Sequence, residues 1–568
     1  MKSGVASTRT LLRHWSRLVH QRHGGAAAAL AGIACALAQP PFGLTPGLLG
    51  FAVLAALLDA TSVQKPLRSA FWRGWMAGTT YFLIAVWWVS EAFMVDVAAH
   101  GWQAPFAVAF LAAGLGLLWG AAASVYRWLA GGLIARRSPW RVLVFAGLFG
   151  LIEWLRGHIL TGFPWDLPGE AWRAGSVMSQ FAAVVGVYGL TFLTLLVAAG
   201  PATLADRIGW RKRFAAPVVS AIVLAGLWGF GTIRLAQPEA QTSAQGRPDG
   251  LVVRVVQANV AQAAKWDIAS FTDILNRYTR LTGSPASGRR PDLVVWSETA
   301  IPALIDDYLA PGTWTRAEIE ASLQPGQTLV FGADREENTG GQRKDFNSLL
   351  LLRRQTDGFR LLGGYDKHHL VPFGEYFPMD TLSDALGLKA LVHVGDGFTP
   401  GPPSRVVTAD GVPSLSPMIC YEGLFPAAVS DGGTRAAWIV NVSNDAWFGK
   451  TSGPLQHYNM ARYRAIEEGL PMVRATPTGV SAVVDAFGRP QAELGLGAFG
   501  VIDHVLPRAL PGTPYHRYRD LAFWILTILS LTPIALSRIV AGGGLRLSAS
   551  SYLGLHMSAH DTRQGGQT

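Results

Sequence analysis

Apolar positions along the 568-residue chain fall into two patterns that meet near Gln237. Upstream they form long runs that approach the roughly 20 residues of a bilayer crossing. These are Gly24–Ala38, Pro46–Leu58, Trp75–Phe93, Ala104–Val125, Val142–Leu155, Phe181–Ala199 and Ala215–Ile233. The first two are short and flanked by proline, which also suits a re-entrant pair. Downstream the apolar runs are brief and β-rich: Leu251–Ala258, Asp292–Trp296, Gln327–Ala333, Ser348–Leu352, Leu415–Cys420, Ala437–Asn441 and Val480–Asp485. Helical periodicity over Ala269–Leu281 and Gln456–Glu468 lies between some of them. Such alternation predicts an α/β or mixed layered domain. A polar linker, Gln237–Gly250, leads into it, and Pro507, Pro511 and Pro514 mark its exit before a last apolar run, Leu521–Leu536.

Composition supports a membrane setting for the long runs. Half of the residues are hydrophobic, 15% are charged, and 20 are Trp, against about 25% charged residues in soluble proteins. The formal net charge of +10 does not form a basic, aromatic-interleaved face of the kind that binds nucleic acid. It sits in the connections between runs. Lys2, Arg9, Arg13, Arg17 and Arg22 precede the first run; Lys65, Arg68 and Arg73 follow the second; Arg127, Arg136, Arg137 and Arg141 follow the fourth; Arg207, Arg211, Lys212 and Arg213 follow the sixth. Alternate connections carry almost none. With about eight spans, every basic cluster falls on one side, which makes that side cytoplasmic. The layered domain is then on the opposite face, which in a bacterium is the periplasmic side of the inner membrane. The expected organisation is a membrane domain over 1–236, a catalytic domain over 237–514, a last transmembrane helix over 515–545 and a polar cytoplasmic tail over 546–568.

Chemistry concentrates at strand ends in the layered domain. Cys420 closes an apolar run, and the only other cysteine, Cys35, lies in an Ala-rich stretch far upstream. A thiol at a strand-to-turn junction without a local disulfide partner is a nucleophile candidate. Glu298 follows a second strand and Lys367 a third. A carboxylate accepts a thiol proton, while an ammonium and the backbone N–H groups after the nucleophile stabilise an oxyanion. Cys, Glu and Lys together therefore suit acyl transfer through a thioester. No Walker loop or His-Glu-x-x-His motif is present, and neither metal nor cofactor is expected.

Three motifs carry a resemblance. Trp-Ser-Glu-Thr-Ala-Ile-Pro around Glu298, Lys-His-His-Leu-Val-Pro-Phe-Gly-Glu from Lys367, and Cys-Tyr-Glu-Gly from Cys420 resemble the Glu-Lys-Cys triad of the carbon–nitrogen hydrolase (nitrilase) superfamily. Asn444–Gly449, and Glu153–Arg156 with Gly162–Trp165, extend the likeness into the membrane part. Over nearly its full length the chain resembles the bacterial apolipoprotein N-acyltransferase family. The resemblance implies an α-β-β-α sandwich inserted into a polytopic α-helical membrane protein. It also implies ping-pong transfer of an acyl chain from a phospholipid, typically phosphatidylethanolamine, through a Cys420 thioester. The acceptor is the α-amino group of the diacylglyceryl-cysteine of an apolipoprotein, at the last step of lipoprotein maturation. Glu298 is then the base and Lys367 the oxyanion stabiliser, with Glu375, Tyr421 and Glu422 as further active-site residues. Trp266, Arg156, Trp165, Trp447 and Phe448 match positions that handle substrate or lipid. The partners are the phospholipid, the apolipoprotein and the bilayer, not nucleic acid. Two departures stand out: Thr476–Pro477–Thr478–Gly479 where the family often has an Asn-bearing run, and Ser297 where Pro is frequent.

Blander roles compete with these. Cys35 reads as a small core hydrophobe, and His368 and His369 as structural or exposed. Glu375 and Glu422 also suit buried ion pairs. Arg156 suits either snorkelling or a lipid phosphate, and the aromatics suit core or membrane-interface positions. Phe373, Tyr376, Phe377 and Leu382–Val394 form an apolar stretch expected to act as a lid dipping toward the bilayer. The rival function is a membrane-tethered periplasmic amidase or nitrilase, which passes through the same thioester but delivers it to water.

Overall fold

The computed structural model describes residues 23–62, 64–237, 250–265, 267–339, 342–376, 397–426, 435–534 and 536. Trp266, Phe377, the stretch Leu382–Val394 and the polar tail lie outside the described residues. Upstream, among the described residues, seven helices of ten or more residues follow one another: α1 (Gly24–Ala36), α2 (Gly50–Asp59), α3 (Pro66–Ala85), α4 (Ala104–Leu129), α5 (Arg141–Arg156), α6 (Ala182–Ala199) and α7 (Trp210–Leu235). Among the described residues, three helical stretches are long and apolar enough to cross a membrane: Val97–Leu129, Val177–Ala205 and Trp210–Leu235. Gly24–Ala36, Thr45–Asp59 and Leu521–Ile534 are shorter apolar helices. The expected run Trp75–Phe93 is not one helix, because α3 ends at Ala85 and a 3-10 segment, Trp87–Met94, follows.

Small residues let these helices approach closely. A Cβ on Gly74 of α3 would sit 2.5 Å from the Trp119 carbonyl of α4, and one on Gly116 of α4 would sit 2.8 Å from the Thr79 nitrogen of α3. The basic connections gather at one end of the bundle. There Arg141 bridges Asp59 and Asp206, each at 2.7 Å, and Arg137 reaches the Arg207 carbonyl at 3.1 Å.

Downstream, two six-stranded sheets stack. The first has the order β12-β1-β2-β3-β4-β5 and the second β11-β10-β9-β8-β7-β6. The strands are β1 (Val252–Gln257), β2 (Leu293–Val295), β3 (Thr328–Thr339), β4 (Gln342–Gln355), β5 (Gly358–Asp366), β6 (Val407–Ala409), β7 (Val412–Ile419), β8 (Trp438–Val442), β9 (Met472–Ala475), β10 (Ser481–Val484), β11 (Pro490–Leu494) and β12 (Gly500–Val505). In each sheet three central strands run parallel, β1–β2–β3 and β7–β8–β9, and antiparallel strands flank them. Parallel strands are covered on both faces, which explains their unbroken apolar runs.

Side chains alternate between the two faces. Val253, Val255, Val295, Ile419, Val440 and Val473 meet between the sheets. The outer face of the first sheet (Val294, Trp296, Phe331) packs on α8 (Phe271–Thr282) and α9 (Trp314–Ser322). The outer face of the second (Met418, Ile439, Met472) packs on α10 (Gly453–Glu468). The layering is therefore α-β-β-α.

Helix α10 is buried on nearly all sides, because its opposite face packs on the membrane part. Its polar residues find partners there. Gln456 accepts from Trp165 Nε1 at 3.0 Å, Asn459 accepts from the Ala174 N–H at 2.9 Å, and Tyr463 donates to the Gly169 carbonyl at 3.1 Å. Glu467 accepts from the Val187 N–H at 2.8 Å. That N–H is freed by a break in α6 at Gly186, where φ is 68°. Glu468 pairs with His516 and Arg519, just ahead of α11 (Leu521–Ile534).

Gly186 gives a direct test of this joint. A Cβ there would lie 2.3 Å from the buried Tyr515 ring, at a φ that disfavours side chains. We expect Gly186→Ala to cost about 1–3 kcal/mol, read as a lower thermal midpoint of the detergent-solubilised protein. An unchanged midpoint would show that the break is not required for packing.

Candidate active site

The chemistry-bearing residues lie at the strand ends, where the two sheets present loops. Glu298 sits three residues past β2, and a Cβ on Gly332 of neighbouring β3 would fall 2.4 Å from Glu298 Cα. Only glycine permits that approach. Lys367 directly follows β5, and its backbone N–H donates to the Asn347 carbonyl at 2.8 Å. Cys420 begins a 3-10 turn, Cys420–Leu424, at the end of β7, with φ of 48°. A non-glycine residue in this left-handed region at a strand-to-helix junction is the geometry of a nucleophile elbow.

The side chains of Glu298, Lys367 and Glu375 form one buried cluster. Lys367 Nζ donates to Glu375 Oε1 at 2.8 Å and lies 3.4 Å from Glu298 Oε1. Asn347 Nδ2 spans the same two carboxylates, at 2.7 Å from Glu298 and 3.0 Å from Glu375. Glu375 Oε2 accepts from the Val371 N–H at 2.8 Å. Glu298 Oε2 has no hydrogen-bond partner among the described residues. It is a buried acceptor left over in the site, as is Asn347 Oδ1.

Electrostatics ties Cys420 to this cluster. Burial pushes its thiol up to about 12; the Glu298 charge acts in the same direction and Lys367 opposes it. The resting sulfur is therefore a thiol, and it needs a base. Burial works against the Lys367 ammonium, but Glu375 and then Glu298 overcome it and hold Lys367 charged, above its ordinary value. A second lysine, Lys265, donates to the Thr299 carbonyl at 2.9 Å and to the Glu298 carbonyl at 3.3 Å. Burial pushes it down to about 8.

The other candidate residues have different surroundings. Glu422 faces away from the cluster and is fully engaged. Its Oε1 accepts from Tyr365 OH at 2.6 Å and from the His368 and His369 N–H groups at 3.0 and 3.1 Å, and its Oε2 accepts from the Ile419 N–H at 2.8 Å. It braces the Lys367 loop against the Cys420 turn. Tyr421 points to the membrane part, donating to the Gly162 carbonyl at 2.7 Å. His369 does the same: its Nε2 lies 2.9 Å from the Thr161 carbonyl and its ring stacks on Phe425 at 3.9 Å.

Arg156 neither snorkels nor opens to a headgroup. It is 2% exposed, and Glu153 and the carbonyls of Phe163 and Trp165 use its guanidinium. It thereby shapes the loop on which Tyr421 docks. Trp165 is buried against Trp88, Phe448 and His457, while Trp447 is 37% exposed. Trp266 lies outside the described residues. Thr476 and Ser481 exchange bonds across the departing Thr476–Gly479 segment, with the Thr476 N–H donating to Ser481 Oγ at 3.0 Å. Ser297 is engaged with Tyr278 OH at 2.7 Å.

Asn347, His457 and Lys265 escaped the sequence reading. Asn347 lies one residue ahead of the strand run Ser348–Leu352, and its side chain is buried.

Fold and site together define a carbon–nitrogen hydrolase domain, and the carbon-nitrogen hydrolase family model matches residues 252–510. The model of the apolipoprotein N-acyltransferase N-terminal domain matches residues 31–200. An apolipoprotein N-acyltransferase of Caulobacter vibrioides is 51% identical over 530 residues, covering 93% of this chain and 96% of the relative. Apolipoprotein N-acyltransferases of Brucella melitensis (38% over 558 residues, 96% and 99% covered) and Allorhizobium ampelinum (36% over 548 residues, 94% and 98% covered) are also similar. The chain belongs to the apolipoprotein N-acyltransferase family.

The protonation state of Cys420 yields a prediction. With the thiol near 12, its iodoacetamide alkylation rate should climb from about pH 6 to about pH 9 without a plateau, since the thiolate fraction rises about tenfold per pH unit below the pKa. A plateau in that window would reveal a preformed thiolate. Glu298→Gln should leave a folded protein whose acyl-enzyme formation falls on the order of 10²–10⁴-fold. Normal acylation in that variant would remove Glu298 as the base.

Proposed function

We propose that this protein transfers an acyl chain from a phospholipid, through a thioester on Cys420, to the N-terminal α-amino group of a diacylglyceryl-cysteine apolipoprotein. This is the last step of lipoprotein maturation. The observation that carries the reading is the buried Glu298–Lys367–Glu375 cluster, with Glu298 Oε2 left unpartnered, acting electrostatically on a Cys420 set at a left-handed turn.

In this reading Glu298 Oε2 takes the thiol proton as Cys420 Sγ attacks the ester carbonyl carbon of the donor. Lys367 and the Tyr421 N–H meet the oxyanion that forms. The ester C–O bond breaks, Glu298 returns the proton to the departing lysophospholipid alcohol, and a thioester remains. The lipoprotein amine then attacks the thioester carbon and loses a proton to Glu298. The amide forms and the Cys420 thiol is regenerated with that proton. Glu375 keeps Lys367 charged throughout. Acyl-chain handling is assigned to the exposed Trp447 together with Trp165, Phe448 and Trp266, and phosphatidylethanolamine is the donor.

The same proposal places the enzyme in a bacterial inner membrane with about eight spans, the catalytic domain (237–514) being periplasmic between the membrane domain (1–236) and the final helix (515–545). The tail (546–568) is then cytoplasmic. Two observations support that orientation. The arginine-bearing connections gather at one end of the bundle, and the loops at the other end, including Gly162, meet the catalytic domain.

Mass spectrometry of the purified enzyme with phosphatidylethanolamine should show a hydroxylamine-labile acyl adduct on Cys420 that a diacylated lipopeptide discharges as an amide. Cys420→Ala should show neither adduct nor turnover while still inserting in membranes. Discharge to water alone would favour an amidase, and retained turnover in Cys420→Ala would overturn the mechanism.

A further inference from the structure

Behind the Cys420 turn lies a buried polar relay that the scheme above leaves unused. His457 on α10 is fully enclosed, and its Nε2 lies 3.1 Å from the Cys420 carbonyl oxygen. A carbonyl only accepts, so Nε2 carries a proton and donates it. Nδ1 lies 2.9 Å from Asp445 Oδ1 and 3.2 Å from Arg474 Nη2. Asp445 is itself fixed by Ser443 Oγ at 2.7 Å and by Arg474 Nη2 at 2.9 and 2.8 Å. With the proton on Nε2, Nδ1 of the neutral ring accepts from Arg474; donation from Nδ1 to Asp445 as well requires the imidazolium, which burial disfavours.

The Cys420 carbonyl shares its peptide plane with the Tyr421 nitrogen. In a planar trans unit the C=O and the N–H point in opposite directions. A bond that fixes where this carbonyl points therefore fixes where the Tyr421 N–H points. That unit follows a residue at φ of 48°, a conformation that persists only when its surroundings over-determine it.

We infer that His457 is a positioning residue for Cys420: by holding the Cys420 carbonyl through Nε2–H, it aims the Tyr421 N–H at the oxyanion of the acyl-transfer step. Asp445 and Arg474 set the imidazole's orientation in turn. The inference rests on Cys420 being the acyl carrier.

Side-chain geometry supplies the test. Gln at 457 places an amide N–H near the Nε2 position, whereas Asn places one near Nδ1 and leaves the Cys420 carbonyl without a donor. Two rates are measured for wild type, His457→Gln and His457→Asn: acyl-adduct formation on Cys420 with phosphatidylethanolamine in detergent micelles, and alkylation of Cys420 by iodoacetamide. Alkylation is a displacement at carbon that forms no oxyanion, so a misplaced donor does not slow it. His457→Asn should lower acylation on the order of 10²-fold, the cost of losing one oxyanion donor, with alkylation held within about twofold. His457→Gln should recover most of the acylation rate.

Acylation in His457→Asn equal to wild type overturns the inference alone. A parallel fall of acylation and alkylation in both variants also overturns it, because it assigns His457 to the packing of the turn. If wild type forms no adduct on Cys420, the acyl-carrier reading fails and this inference falls with it.

Discussion

A helix that is polar yet enclosed on nearly all sides is the constraint on which the rest of this structure depends. Helix α10 carries Gln456, His457, Asn459, Arg462, Arg464, Glu467 and Glu468, all buried. Leaving one such group without a partner costs about 1–3 kcal/mol, more for a charge. The helix is therefore tolerable only where both of its neighbours supply partners: the second sheet and the Cys420 turn on one side, the loops and helices of the membrane part on the other. The two parts are joined by hydrogen bonds of fixed geometry, which position more strictly than apolar contact does.

That strictness reaches the reacting centre. The loop shaped by Arg156 meets Tyr421, the residue after the nucleophile, and His369, two residues after Lys367. The site's own charges are arranged in opposition. Burial drives the Cys420 thiol toward neutrality, and the same burial would discharge Lys367 were it not flanked by Glu298 and Glu375. A buried ammonium with two carboxylates is costly to break from either side, about 3–5 kcal/mol for a lost partner. The cluster thus keeps its charge state while the thiol waits for a base.

Most central strands were legible because parallel strands bury both faces and so read as apolar runs; Leu251–Ala258 contains β1 and Ala437–Asn441 overlaps β8, whereas the short β9, with Arg474 inside it, was not read. Edges were not. β5 is interrupted by Gly363 and Gly364, β11 alternates exposed residues, and the outer halves of β3 and β4 are charged, so none shows an apolar run. Glu298, Lys367 and Cys420 were readable at strand ends, where the chain leaves the sheet. Asn347 and His457 were not, since their meaning comes from partners distant in sequence, and a histidine in a mixed helix carries no mark of what it faces. The partners of Arg156 were hidden for the same reason. Its place near a span end suggested lipid, but the carbonyls that claim it belong to a loop folded back over the helix.

Glu468 has a consequence for how the chain is built. Its two partners, His516 and Arg519, follow the whole catalytic domain in sequence and stand at the entrance to α11. During synthesis the strands and α10 emerge first, so the Arg519 guanidinium that pairs with this carboxylate is made only after them. Domains generally fold as units in the order of their synthesis. Here the last step of catalytic-domain assembly is deferred to the C-terminal segment.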